Sequence, residues 1–427
     1  MPMMAPSKFA LVCLLGMAHV VASAQTDDAE TRIRLNGFAT VGAVEGSSNF
    51  DGIFVRDVAQ VADRTGLQLK PDTRVGVQAN VSVSNQLELV GQVVARPRSS
   101  AAKGSDAVEW AFMSYRPSND LNVRVGRTGV DLFLISDHRN VGYAYLTARP
   151  PVDFYGVLSL TSLDGLDITK SWQSDDVLWK LKGFVGNTAY DINQNRGQIR
   201  RMTGVVLSRE TEGLTLRGTY ARAKLDLTSF TEVELARQGL EALSKVPIPS
   251  VAAQAAHLAT ELDFRNIPGV YSSLGLSYDR NDWVATAELL KVRAASSITS
   301  GTGAYVVVGR RFGNFTPYVG YSRSRLGKGI ATDPQWGQAL APLTGLLGAS
   351  VVQQAAMLGS MATSSINDAR VDQHTQTLGI RWDFNPQGAL KFQYDVVHVG
   401  SHGNGMWRGR NTGGRAHVAS LVLELVF

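Results

Sequence analysis

The chain has 427 residues, with 42 Gly, 14 Pro, a single Cys and a formal net charge of +5. Charged residues are 19%, mean hydropathy is −0.05, and no run of eighteen apolar residues follows the N-terminal segment. That excludes a helical membrane protein but not a membrane barrel, whose alternating strands average out in hydropathy. The basic excess is spread along the chain without the Lys/Arg runs that nucleic-acid binding needs, so no nucleic-acid partner is expected.

Residues 1–24 read as a secretory signal peptide. Lys8 gives a positive start, Phe9 to Met17 is an apolar stretch of the right length, and Ala22-Ser23-Ala24 is a small-x-small cleavage site before Gln25. The only cysteine, Cys13, falls inside this segment. The remaining chain, 25–427, reads as one domain without a disulfide, a thiol nucleophile or a Cys-based metal site.

From there the chain alternates apolar and polar residues with period two. Arg74 to Val83 is the clearest case, and Gln373 to Phe384 repeats it. Sixteen strands are predicted, at 33–45, 72–83, 86–96, 107–116, 121–130, 164–173, 177–187, 198–210, 214–226, 269–279, 283–295, 303–312, 315–326, 373–384, 389–400 and 415–427. The odd-numbered connections are long, among them 46–71, 131–163, 227–268 and 327–372. The even ones are tight and rich in turn formers, such as Thr211-Glu212-Gly213, Arg280-Asn281-Asp282 and Gly313-Asn314. Sorting by length puts the long loops on one rim and the short turns on the other. An even strand count puts both ends of the barrel on the short-turn rim. The predicted fold class is an all-β transmembrane antiparallel barrel with short periplasmic turns and long extracellular loops.

Aromatic residues flank the short turns: Trp172 and Trp179, Tyr278 and Trp283, Phe312 and Phe315, Trp382 and Phe384. A membrane-interface girdle predicts this placement. In the last strand Leu421, Leu423, Leu425 and Phe427 alternate with Val422, Glu424 and Val426.

These features together resemble the Gram-negative outer-membrane porins of the sixteen-stranded kind. The resemblance is carried by Leu35 to Gly42 in the first strand, by Val125-Gly126-Arg127 closing the fifth, by the long third loop, and by Leu423 to Phe427. It implies a homotrimer in outer-membrane lipid and a C-terminal Phe427 read by the barrel insertion machinery. It also implies a third loop, Asp131 to Leu163, folded into the lumen. The chain departs from the best-known porins in lacking their acidic third-loop motif and in its long fifth and seventh loops.

Ser136-Asp137-His138 cannot form a catalytic triad, because three consecutive side chains do not converge. His398 and His402 lack a third ligand at suitable spacing. No G-x-S-x-G, P-loop or H-E-x-x-H occurs. No catalytic residue, cofactor or metal is expected. The candidate residues are charges on the polar strand faces: Arg34, Arg74, Glu88, Arg96, Arg124, Lys180, Lys182, Arg217, Arg381 and Lys391, with Glu288, Asp395 and Glu424. On the lipid face each would cost about 2–4 kcal/mol at midplane, so they are expected to line the lumen. The third loop adds Asp131, Asp137, His138, Arg139 and Arg149.

The expected function is passive diffusion of small hydrophilic solutes and ions through a water-filled, loop-constricted pore. The alternative is a solute-specific channel whose binding site is shaped by loops 227–268 and 327–372. Both contain helical patterns, at Thr231 to Lys245, Ser250 to Leu262 and Gln335 to Met361.

Overall fold

The computed structural model describes residues 32–427, apart from 51, 61–64, 99–101, 193–194, 229, 296–298, 328–330, 402, 404 and 410–412. The predicted signal segment, with Cys13, lies outside the described residues, as does His402.

Sixteen long strands follow one another around a closed barrel. They are β1 (Arg32–Ser48), β2 (Arg74–Ser82), β3 (Leu87–Ala95), β4 (Val108–Ser118), β5 (Leu121–Gly129), β6 (Ser162–Ser174), β7 (Val177–Ile192), β8 (Asn195–Thr211), β9 (Leu214–Asp226), β10 (Ile267–Arg280), β11 (Trp283–Ala294), β12 (Gly301–Arg310), β13 (Phe315–Leu326), β14 (Val371–Asn385), β15 (Gly388–Val399) and β16 (Gly414–Val426). Each corresponds to one predicted strand. Every neighbouring pair is antiparallel, and β1 closes the ring by pairing with β16 from Phe38↔Val426 to Ser48↔Ala416. Gly37 and Phe427 add reciprocal backbone hydrogen bonds of 2.7 and 3.0 Å at the seam. Closure leaves no sheet edge, as a hydrocarbon environment requires.

The two faces of the wall differ as the alternation predicts. Leu35, Leu89, Leu274, Leu289, Leu378 and Leu421 point outward and are exposed. Their in-facing neighbours include buried Glu88, Ser273, Glu288, Val422 and Glu424. So continuous an exposed apolar band is stable only against lipid. Among the described helices none is long and apolar enough to cross a membrane. On the short-turn rim Trp172 stacks on Trp179 at 6.2 Å and Phe315 on Trp382 at 5.9 Å, forming part of the expected aromatic girdle. Inward aromatic rings lie over glycines on the adjacent strand: Phe38 over Gly76, Phe184 over Gly204 and Tyr318 over Gly379. A side chain at any of these glycines would displace the ring.

The tight turns carry the left-handed residues that hairpins need, with Asn281 at φ 51° and Asp282 at 64°. The fourth outer connection departs from the prediction. The pairing of β7 with β8 continues to Ile192↔Asn195 past an irregularity between Ile199 and Met202, so the outer loop there shrinks to 193–194. Residues expected in a loop extend the ladder instead.

The other outer loops are L1 (49–73), L2 (96–107), L3 (130–161), L5 (227–266), L6 (295–300), L7 (327–370) and L8 (400–413). A short strand in L1, Gly52–Phe54, pairs with Trp407–Gly409 of L8. L3 contains the one-turn helix α1 (Val152–Tyr155). L5 forms α2 (Thr231–Leu243) and α3 (Pro249–Glu261), and L7 forms α4 (Trp336–Leu340) and α5 (Ala349–Asp368). These helices share a core of their own, including Leu240, Val251, Leu258, Trp336, Val352 and Ile366. Trp336 Nε1 donates to Gln254 Oε1 at 2.8 Å, tying L7 to L5.

Candidate functional site

L3 leaves the wall after β5 and crosses the lumen. Its apolar residues Leu132, Phe133, Phe154 and Tyr155 are buried against inward aromatics of the far wall. Phe133 and Tyr155 lie 4.9 Å apart between ring centres, and Phe154 meets Tyr305 at 5.0 Å.

Polar groups then fix the loop strand by strand. Asp131 receives Lys182 of β7 at 2.5 Å and Arg217 of β9. Leu132 O accepts the hydroxyls of Tyr271 and Ser273 on β10, at 3.1 and 3.2 Å. Leu134 N donates to Glu288 Oε2 of β11 at 2.8 Å, and the Tyr155 hydroxyl donates to the other oxygen of the same carboxylate. Asp153 accepts from Ser322 of β13 at 2.7 Å, from Thr375 of β14 at 3.0 Å and from Gln373 Nε2. Lys391 of β15 donates to the carbonyls of Gly142, Tyr145 and Thr147 at 2.7, 2.7 and 3.0 Å. Arg381 donates to Tyr143 O at 2.7 Å. Arg149 holds Asp72 of L1, Asp395 of β15 and Ser420 of β16. Arg74 of β2 donates to the Tyr145 hydroxyl at 2.6 Å.

This geometry divides the candidate residues. Lys391 and Arg149 are almost fully buried and seat the loop, so they are not free surface of a passage. Arg139 is likewise turned inward, donating to the carbonyls of Tyr155, Leu158 and Leu160 within L3 itself. Ser136, Asp137 and His138 form a single 3-10 turn. Ser136 Oγ accepts from Phe133 N at 3.0 Å, which is a turn contact. Burial pushes the His138 imidazole down from its usual range. His398 stacks on His374 at 4.6 Å and accepts from Arg415 Nε at 3.2 Å.

The wall from β3 to β6 receives none of the loop anchors described above. Two adjoining cavities lie on this side and share Thr161. The outer is lined by residues of L1, L2 and β7, and the inner by Gln92, Trp110, Asp137 and Asn140. Here the arginines expected to line the lumen are mostly paired with carboxylates. Arg124 Nε donates to both oxygens of Asp167, at 2.9 and 3.0 Å. Arg96 and Arg98 share Glu109, at 3.5 and 3.2 Å. Toward the short-turn rim Arg34 and Arg116 share Glu88, at 2.9 and 3.1 Å, and Lys180 meets Glu210 at 2.8 Å. Asp72, Glu109 and Asp167 were not among the predicted acids, nor was Arg56 of L1 among the predicted cations. Asp167 stands directly across from Arg124 in the β5–β6 register. Counting the polar face of the sixth strand would have found it, had the long loop between the two strands not hidden the register.

Sixteen antiparallel strands, a lipid-facing apolar band and a third loop laid across the lumen define the barrel of Gram-negative outer-membrane porins. Solved structures with this fold include OmpF of Salmonella typhi in complex with daunomycin (TM-score 0.54, 13% identity, 93% of this chain and 98% of that one). They also include the outer-membrane channel DcaP of Acinetobacter baumannii (TM-score 0.52, 11% identity, 94% and 99%). No protein-family profile matches the chain, and no curated protein matches it in sequence.

Proposed function

We propose that the protein is a passive outer-membrane channel for small hydrophilic solutes and ions. The observation that carries this reading is the seating of L3. A loop held across the lumen from β7 round to β2, with the β3–β6 side free of those anchors and holding two small cavities, is a constriction by construction. It supports sieving by size and charge without an energy input. Residues 1–24 would direct export, Phe427 would be read by the insertion machinery, and three copies would assemble in the membrane. Charged and neutral residues of the β3–β6 side, rather than the buried Arg149 and Lys391, would meet the solute.

A second reading, a solute-specific channel, is favoured by the helical cap. The helices of L5 and L7 pack on each other and share a core, which suits a shaped vestibule better than a bare rim.

Single-channel recording in planar bilayers separates these readings. Wild type should conduct salt, and excising Ser136 to Ala148 should enlarge the current. An unchanged current would place L3 outside the conduction path. A panel of neutral and charged solutes then distinguishes sieving from specificity. Folding of each variant is checked by the shift in SDS mobility between unheated and boiled samples.

A further inference from the structure

Under the outer rim, between L1, L2, the end of L3 and the β7–β8 hairpin, lies a small, partly open cavity of about 60 Å³, room for one small oxyanion group. Arg56, Arg96, Arg98 and Arg196 line it, together with Asp57, Asp106 and Asp191. Most of these charges are committed. Arg196 grips Asp106 through two hydrogen bonds of 2.6 and 2.9 Å and reaches Asp191 at 3.4 Å. Asp57 Oδ1 accepts from Ala59 N at 3.0 Å. Arg96 and Arg98 are two cations on the single carboxylate of Glu109.

Arg56 is different. It is 9% exposed, and no hydrogen bond or ion pair reaches its guanidinium among the described residues. The nearby carboxylates help only at a distance: Asp72, held bidentately by Arg149, and Asp57 both favour the charged form of Arg56, but neither hydrogen-bonds it. Burial and the neighbouring Arg74 push the Arg56 guanidinium down to about 10, so it stays charged at neutral pH. Ser159 Oγ lines the same cavity, buried and without a partner. A guanidinium has five N–H donors, and those of Arg56 find no protein acceptor among the described residues, leaving them to a group in the cavity. The planar fork suits a carboxylate or phosphate better than a spherical ion.

We propose that this cavity is an oxyanion subsite. Arg56, the half-compensated Arg96–Arg98 pair and the Ser159 hydroxyl receive the carboxylate or phosphate group of a small solute entering the lumen. The inference deepens the channel reading and rests on it for its biological meaning.

The test uses the whole barrel, in bilayers and in detergent, with acetate, inorganic phosphate and chloride as probes. Current carried by the bound oxyanion should saturate with its concentration, whereas chloride current should rise linearly over the same range. Saturation by phosphate alone points to a phosphate-bearing solute, and saturation by acetate alone to a carboxylate. Arg56→Gln should raise the half-saturating concentration about tenfold or more, as loss of a bidentate charged contact does. Arg280→Gln, on a distant short turn, should leave it unchanged. If Arg56→Gln fails to show heat-dependent mobility, Arg98→Gln and Ser159→Ala are read instead. Strictly linear currents for both oxyanions, or equal half-saturation in wild type and variant, would overturn the subsite. Calorimetric titration of the detergent-solubilised barrel keeps the two ideas separate. Binding heat that is lost in Arg56→Gln, without any conductance, keeps the subsite and removes the channel reading. Conductance without saturation or heat does the reverse.

Discussion

Arg149 of L3 and Asp72 of L1 meet as a two-pronged pair, Nε to Oδ1 at 3.0 Å and Nη2 to Oδ2 at 2.7 Å, with both side chains out of reach of solvent. The same guanidinium donates to Ser420 Oγ at 2.6 Å and lies 3.4 Å from Asp395. One side chain therefore joins two loops and the last two strands. Removing it leaves a buried carboxylate uncompensated, which costs about 3–5 kcal/mol. Arg149→Ala should lower the temperature at which the unheated SDS band converts to the unfolded one. Arg149→Lys should recover only part of the loss, since an ammonium cannot span both oxygens in the fork. Unfolding temperatures of the three proteins in one detergent give the comparison.

Asp153 makes the seat of L3 sensitive to pH. Burial pushes its carboxyl up to about 6 from 3.8, against the donors Ser322, Thr375 and Gln373. Between about pH 4 and 6 the folded loop keeps a proton that the unfolded chain has released. This group's contribution is full below about pH 4 and is lost as pH rises through 6, by about 3 kcal/mol in all. Asp153→Asn should flatten that slope. Denaturation midpoints at pH 4, 5, 6 and 7 for both proteins measure it, and parallel slopes would acquit Asp153.

The Arg124–Asp167 pair should set ion preference by cancellation. Asp167→Asn frees a cation beside the passage, and Arg124→Gln frees an anion. In a narrow low-dielectric lumen the zero-current potential across a salt gradient should move in opposite directions for the two variants. Both shifts should shrink as salt rises, because screening acts over about 10 Å at 0.1 M. Shifts of the same sign would place the pair away from the current.

Gly142 sits where any side chain would fall on the Glu424 carboxylate. In Gly142→Ala either the Glu424 carboxylate turns away from Thr40 and Lys391, or L3 shifts off the wall and weakens the three carbonyl contacts that Lys391 makes; the loop shift is the expected response. The expected result is a barrel less stable by about 1–3 kcal/mol, typical of overpacking, with a larger and noisier current. A quiet wild-type current in this variant would mean that the loop accommodates the methyl group in place.

The cap predicts mutual protection. Because α3 and α5 bury the same core, excising 231–261 should leave the barrel heat-modifiable but expose Trp336–Asp368 to a broad-specificity protease. Cleavage there should speed up at least tenfold, read by mass spectrometry of the fragments. Unchanged protection would mean that L7 is held by the barrel alone.

The wall was readable because its cause is local. Alternation at Arg74 to Val83, turn residues such as Asn281-Asp282 and the outward leucines of the last strand each follow from period two and lipid contact. The inward path of L3 was available only through the porin resemblance, not through any periodicity of its own. The charge pattern was not readable, because a pair such as Arg149 and Asp72 is 77 residues apart and is made by a loop whose path no periodicity records. The partner of Arg124 was hidden for the related reason that L3 separates it in sequence from Asp167. Arg56 gave no signal at all, standing in an irregular loop where only packing decides its exposure.

The reciprocal hydrogen bonds between Gly37 and Phe427 have a kinetic meaning. In most folds the terminal residues fray and their amides exchange with solvent first. Here the Phe427 amide, beyond the last strand, is held by the first strand, and neither strand can peel away without opening the whole ring. Protection at Gly37 and Phe427 should therefore track that of the mid-wall strands, so that the seam behaves, on the timescale of hours, like any other pair of neighbouring strands in the ring.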